Sequence, residues 1–139
     1  MPIFSLRGKP PTHRGVANTR LPRCPSSPNC VCSDAEDDAH RIAPLTLAVP
    51  ANEAWAAVGG AVRGLPRTHI VTETTDYIHA ECQSALFGFI DDLELHLRAS
   101  EGIIAVRSAS RLGYSDLGVN RRRIEHLRLI LINRGVVVH

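Results

Sequence analysis

Phe-Ile-Asp-Asp-Leu-Glu-Leu-His-Leu-Arg-Ala-Ser-Glu-Gly-Ile-Ile-Ala-Val-Arg-Ser-Ala-Ser, residues 89–110, decides the fold. In 89–98, Leu93, Leu95 and Leu97 point one way while Glu94, His96 and Arg98 point the other, the two-residue period of a strand. Glu101-Gly102 supplies a turn, and Ile103–Ser110 returns. So short a connection leaves no room for a crossover, and the pair must be antiparallel.

Upstream, Tyr77–Gln83 alternates in the same way, with Ile78, Ala80 and Cys82 opposite Tyr77, His79, Glu81 and Gln83. His69–Thr75 is rich in β-branched residues and is closed by a turn at Asp76. Four strands in a meander are expected. Before them Leu45, Leu47 and Val49 predict a short strand ended by Pro50, and Asn52 is placed to cap a helix. Trp55, Val58, Val62 and Leu65 share one face of that helix, and Gly64 and Pro66 end it. Gly59 and Gly60 weaken it by about 1 kcal/mol each relative to alanine, which close approach to a sheet would explain. Leu117–Ile132 predicts a second helix with Leu117, Ile124, Leu127 and Leu131 on its apolar side.

The expectation is an α+β fold: an antiparallel sheet of four to five strands, two helices packed on one face, and an extended N-terminal segment. Residues 1–23, with four prolines and no apolar period, read as an extended arm, and 24–132 as a single domain. Residues 133–139 form a C-terminal tail in which Val136–Val138 suit a short edge strand.

The 139 residues suffice for one hydrophobic core. A net charge of +2 and few aromatic residues argue against nucleic acid as a partner. Fifteen of the sixteen basic residues are arginine, a bias that a GC-rich genome also produces. No segment approaches the roughly eighteen continuous apolar residues of a spanning helix, and the N-terminus lacks the apolar run of a secretory signal. A cytoplasmic location, no membrane segment and no cofactor are the expectations.

The cysteines Cys24, Cys30 and Cys32 lie in a proline-rich knot. In a reducing compartment they read as small buried thiols, and a Cys24–Cys30 bridge becomes plausible in an oxidising one. Their spacing does not match the paired two-residue spacing of structural zinc sites, so no metal is expected. Cys30 as a nucleophile would need a base, for which His79 with Glu81 on the same strand face is the weak candidate. The bland reading of His79 and Glu81 is a wet sheet face. Asp91, Asp92 and Glu94 likewise read as solvated, as do the acids of 34–38.

The segment from Arg107 to Arg128 holds six arginines against Asp116 and Glu125. Arg107, Ser108, Ser110, Arg111, Tyr114, Asn120 and Arg121 gather around a helix start, where unpaired amides and a partial positive charge favour anions. Asp116 is the structural residue expected to cap that helix. The competing reading is a rigid internal network, which weighs somewhat more heavily because such networks imitate functional clusters. The functional reading is a non-enzymatic module binding a small anion or an acidic protein partner. The alternatives are a thiol-dependent enzyme using Cys30 and a scaffold with no small ligand.

Cys24-Pro-Ser-Ser-Pro-Asn-Cys-Val with Ser33, Phe89-Ile-Asp-Asp-Leu-Glu, and the run Arg107–Glu125 resemble domain-of-unknown-function family 1499. Phe4-Ser-Leu-Arg-Gly and Pro-Arg-Thr-His-Ile-Val at 66–71 are similar too, so the resemblance spans roughly residues 4–130. It implies a widespread family without an assigned activity and adds no mechanism. Cys32 departs from it, standing where the family usually has serine, and so does the end after Ile130.

Overall fold

A computed structural model of the protein describes residues 15–84, 88–113 and 116–139. Its strands are β1 (Cys30–Cys32), β2 (Leu45–Thr46), β3 (Thr68–Glu73), β4 (Tyr77–Gln83), β5 (Ile90–Arg98) and β6 (Ile103–Ser110). The helices are α1 (Ala51–Arg63) and α2 (Val119–Asn133). All strand pairings are antiparallel, in the order β1-β6-β5-β4-β3, with β2 pairing the other end of β6. The α+β expectation is met: a six-stranded antiparallel sheet with both helices against it.

The β4–β5–β6 meander follows its period-two pattern closely. Leu93 pairs with Ala80 and Ser108, and Leu95 with Ile78 and Val106. These side chains share one face and build the core with Val58 and Val62 of α1 and Ile124, Leu127 and Leu131 of α2. A fully buried Leu, Ile or Val contributes about 1.5–3 kcal/mol relative to exposure, so this face orients the sheet. The turn between β5 and β6 is closed by Gly102 at φ +67°, a conformation that costs glycine little.

Several local expectations need correction. Asn52 is not the cap of α1: the helix starts at Ala51 behind Pro50, whose fixed φ suits a helix start. Of Leu45, Leu47 and Val49, only Leu45 lies in a strand; Leu47 forms a single antiparallel bridge to Val137. Val136 and Val137 are buried in the main core. Gly59 of α1 is buried, and a Cβ there would lie 3.1 Å from Glu73 Oε2 of β3, so that carboxylate would have to shift slightly to admit one. Leu117 is outside α2, 82% exposed at φ +55°, and not on its apolar side. The cysteine knot contains a strand, because Cys30–Cys32 pairs with Arg107–Ala109 of β6.

Candidate functional site

Strand alternation divides the chemistry-bearing residues between two faces. Opposite the helices, β4 presents Tyr77, His79 and Glu81, β5 presents Asp92, Glu94 and His96, and β6 presents Arg107. The expectation of a wet face fails here, since His79, Asp92, Glu94 and Arg107 are all buried. Part of the cover is the arm. Gly15 N–H donates to Glu94 Oε2 at 2.9 Å, Arg107 Nη2 donates to the Arg23 carbonyl at 3.1 Å, and Leu21 packs with Cys32 and Ala105. Asp34 of the expected solvated acidic loop is largely buried too, held by Arg98 at 2.6 and 2.8 Å.

The charges on this face are matched among themselves. Asp92 accepts from Arg111 Nε (2.8 Å) and Nη2 (2.9 Å) and contacts His79 Nε2 at 2.6 Å. Arg111 also reaches Glu81 at 2.5 Å. Burial would raise the Asp92 carboxyl, but the bonds from Arg111 and His79 outweigh it and bring its pKa down to about 2. Glu94 accepts from Tyr77 Oη at 2.7 Å and from Arg107 Nη1 at 3.3 Å. Among the described residues, Arg107 Nε is the one buried side-chain polar atom without a partner.

The helix-covered face holds a second cluster. Asn120, fully buried in the first turn of α2, donates to Ser110 Oγ (2.8 Å), Asp116 Oδ2 (2.8 Å) and the Asn29 carbonyl (3.2 Å). Its carbonyl oxygen accepts from Ser108 Oγ (2.6 Å) and Arg123 Nη1 (2.9 Å). Asp116 accepts from the backbone N–H groups of Gly118 (2.8 Å) and Asn120 (3.0 Å), so it caps α2 from two residues before Gly118, the N-cap. Asp91 also lies on this face and pairs with Arg123 at 2.7 Å. Both aspartates expected to be solvated are therefore buried and paired.

The seven residues expected around one anion pocket fall in different places. Arg107 and Arg111 belong to the polar face, while Ser108, Ser110 and Asn120 lie beneath α2. Arg121 is exposed and donates to the carbonyls of Ala39 and Arg41. Tyr114 lies outside the described residues. The reason is the strand period: 107 and 108 cannot face the same way.

Cys30 and Cys24 form a disulfide, which corrects the expectation of free thiols. In this state Cys30 has no thiolate to offer a substrate, and His79 is engaged with Asp92. Cys32 and Cys82 are free, buried thiols, and burial pushes both pKa values up. Among the described residues no group of three or more His, Cys, Asp and Glu is placed to hold a metal ion. No helix among them is long and apolar enough to cross a membrane.

One open cleft carries unmatched positive charge. It has a volume of about 220 Å³ and lies between the β3 start, the β4 end and the first two turns of α2. Arg67, Arg122, Arg123 and His126 line it with Thr68, and none of its described lining residues is acidic. Arg123 is matched by Asp91 from below. Arg67 and Arg122 donate only to carbonyls, of Gln83 and Leu117, and form no ion pair among the described residues. Arg67, which lines it, holds left-handed backbone at φ +50°, a strain that collects at functional sites. Of the residues that the sequence singled out around this helix start, none lines this cleft. The available signal was Arg122 in the first turn, a cation at the positive end of a helix.

No curated protein and no solved structure matches the chain. A family model does match, over residues 20–131, which takes in the sheet, the disulfide and nearly all of α2; by that match the chain belongs to the family described as "Protein of unknown function (DUF1499)".

Proposed function

We propose that this domain is a non-enzymatic module that binds a small anion, a phosphate or carboxylate, in the cleft lined by Arg67, Arg122, Arg123 and His126. One observation carries the reading: Arg67 and Arg122, which form no ion pair among the described residues, line an open cavity in which no described lining residue is acidic. Arginine forks suit phosphate and carboxylate geometry, and an anion there would offset the cost of cations at the positive end of α2. The buried polar face favours the opposite role. Its carboxylates face guanidinium groups of the same chain, so it serves as scaffold for the site.

The test is a thermal-shift series with phosphate, sulfate and citrate at constant ionic strength, which removes plain screening. A bound anion stabilises the fold by about 2.7 kcal/mol at a hundred times its dissociation constant. Arg67→Ala and Arg122→Ala should abolish the shift while changing stability without ligand by about 0.5 kcal/mol or less, as exposed positions do. An anion-specific shift that survives in both variants moves the site elsewhere, and no shift in the parent protein ends the reading.

A further inference from the structure

The cleft sits at one end of the sheet. Gln83 N–H donates to the Arg67 carbonyl, Ser84 N–H to that of Phe89, and Arg111 N–H to that of Ile90. These bonds bring the ends of β4 and β6 and the starts of β3 and β5 together, beside the start of α2. The same end exposes large apolar side chains: Leu117 at 82%, Leu112 at 41%, and Phe89 and Val119 at 38% each. Val119 lines the cleft itself. Single exposed apolar residues are normal on a protein surface. Four at this end of the sheet, near Arg67 and Arg122, which form no ion pair among the described residues, form a pattern with a physical meaning.

Apolar tips beside arginines suit the boundary between lipid headgroups and acyl chains, where the tips sink in and the cations meet phosphate. We infer that the anion taken by the cleft is the phosphate of an anionic phospholipid, and that this end of the sheet docks on a bilayer surface. The inference rests on the anion-binding reading and adds the source of the anion. Charge complementarity is the argument for this occupant: Arg67 and Arg122 have no carboxylate partner among the described residues, and an anionic bilayer supplies phosphates beside an apolar layer for the exposed Leu117 and Val119.

The experiment is vesicle flotation with the full chain, using phosphatidylcholine alone and phosphatidylcholine containing a third phosphatidic acid, alongside the free-phosphate thermal shift. The expected result is recovery with the acidic vesicles at least tenfold above that with the neutral ones. Leu117→Asn, which suits the left-handed backbone there, should lose most of the flotation and keep the phosphate shift. Arg122→Ala should lose both. A phosphate shift without flotation would overturn docking and leave the cleft as a site for a soluble anion. Equal flotation on neutral vesicles, or full flotation by Leu117→Asn, would also overturn it. Absence of both signals would remove docking and the anion site together.

Discussion

Arg111 grips Asp92 with two hydrogen bonds, Nε to Oδ2 at 2.8 Å and Nη2 to Oδ1 at 2.9 Å, and almost no surface of either side chain reaches water. The pair joins the end of β6 to β5 on the face away from the helices. Removing one partner of a buried pair leaves the other charge without compensation, which costs about 3–5 kcal/mol. Arg111→Ala should therefore lose that much in urea unfolding, because Glu81 is orphaned as well. A loss under about 1 kcal/mol would show that water replaces the guanidinium and that the face is not sealed.

The same pair sets an acid limit. The folded-state pKa of Asp92, about 2, lies below its ordinary value of 3.8. Its stabilisation is thus complete above about pH 4 and disappears as pH falls through 2. A fall from 3.8 to about 2 corresponds to about 2 kcal/mol. Unfolding midpoints between pH 5 and pH 2 should fall more steeply in the parent protein than in Asp92→Asn, which has no proton to gain there. Parallel curves would assign the acid sensitivity to other groups.

The meander was legible because leucines alternate with charges in residues 93–98, and a single period fixes both strand and face. The ion pairs were legible in principle. Glu94 pairs with Arg107 in the β5–β6 register, and Asp92 lies one pair further toward Arg111. Opposite charges at facing positions announce a matched face, but only once the register is known. What the period could not reveal is cover. Alternation tells which residues share a face and is silent on whether another segment lies over it, so His79 and Glu94 were expected in water. The cleft was hidden for a related reason, since Arg67 and Arg122 are far apart in sequence and line one cavity only where the start of α2 borders the start of β3 and the end of β4.

The Cys24–Cys30 bridge closes a short loop, with a sequence separation of 6. Chain-entropy arguments give about 2 kcal/mol for a loop of this size. Reduction, or the double change Cys24→Ser and Cys30→Ser, should lower stability by about that amount without unfolding the domain. Thiol counting on protein denatured without reductant should find two groups, those of Cys32 and Cys82. Four titrated thiols would restore the free-thiol expectation and with it the case for Cys30 as a nucleophile. Such bridges persist in oxidising compartments, so a cytoplasmic setting and a stable bridge pull against each other, and the thiol count of protein taken from its own cell decides between them.

Asn120 ties three segments together: the start of α2, the end of β6 through Ser108 and Ser110, and the disulfide loop through the Asn29 carbonyl. Truncation to alanine strands buried groups on all three, and each unsatisfied polar group costs about 1–3 kcal/mol. Asn120→Ala should lose roughly 3 kcal/mol, beyond the ~1 kcal/mol that Asp116→Ala should cost as the loss of a helix cap. The two should also differ with pH. Burial would raise the Asp116 carboxyl, but bonds from the backbone and side chain of Asn120 and from Gly118 outweigh it and hold its pKa below 3.8. Its contribution is therefore present above about pH 4 and fades on acidification. The deficit of Asp116→Ala against the parent protein should shrink between pH 5 and pH 3, whereas that of Asn120→Ala should largely persist through its neutral contacts with Ser108, Ser110 and Asn29. Urea unfolding at those two pH values measures both. Should Asp116→Ala prove the costlier change at pH 5, α2 is held mainly by its cap, and the Asn120 contacts merely accompany the packing of Ile124 and Leu127.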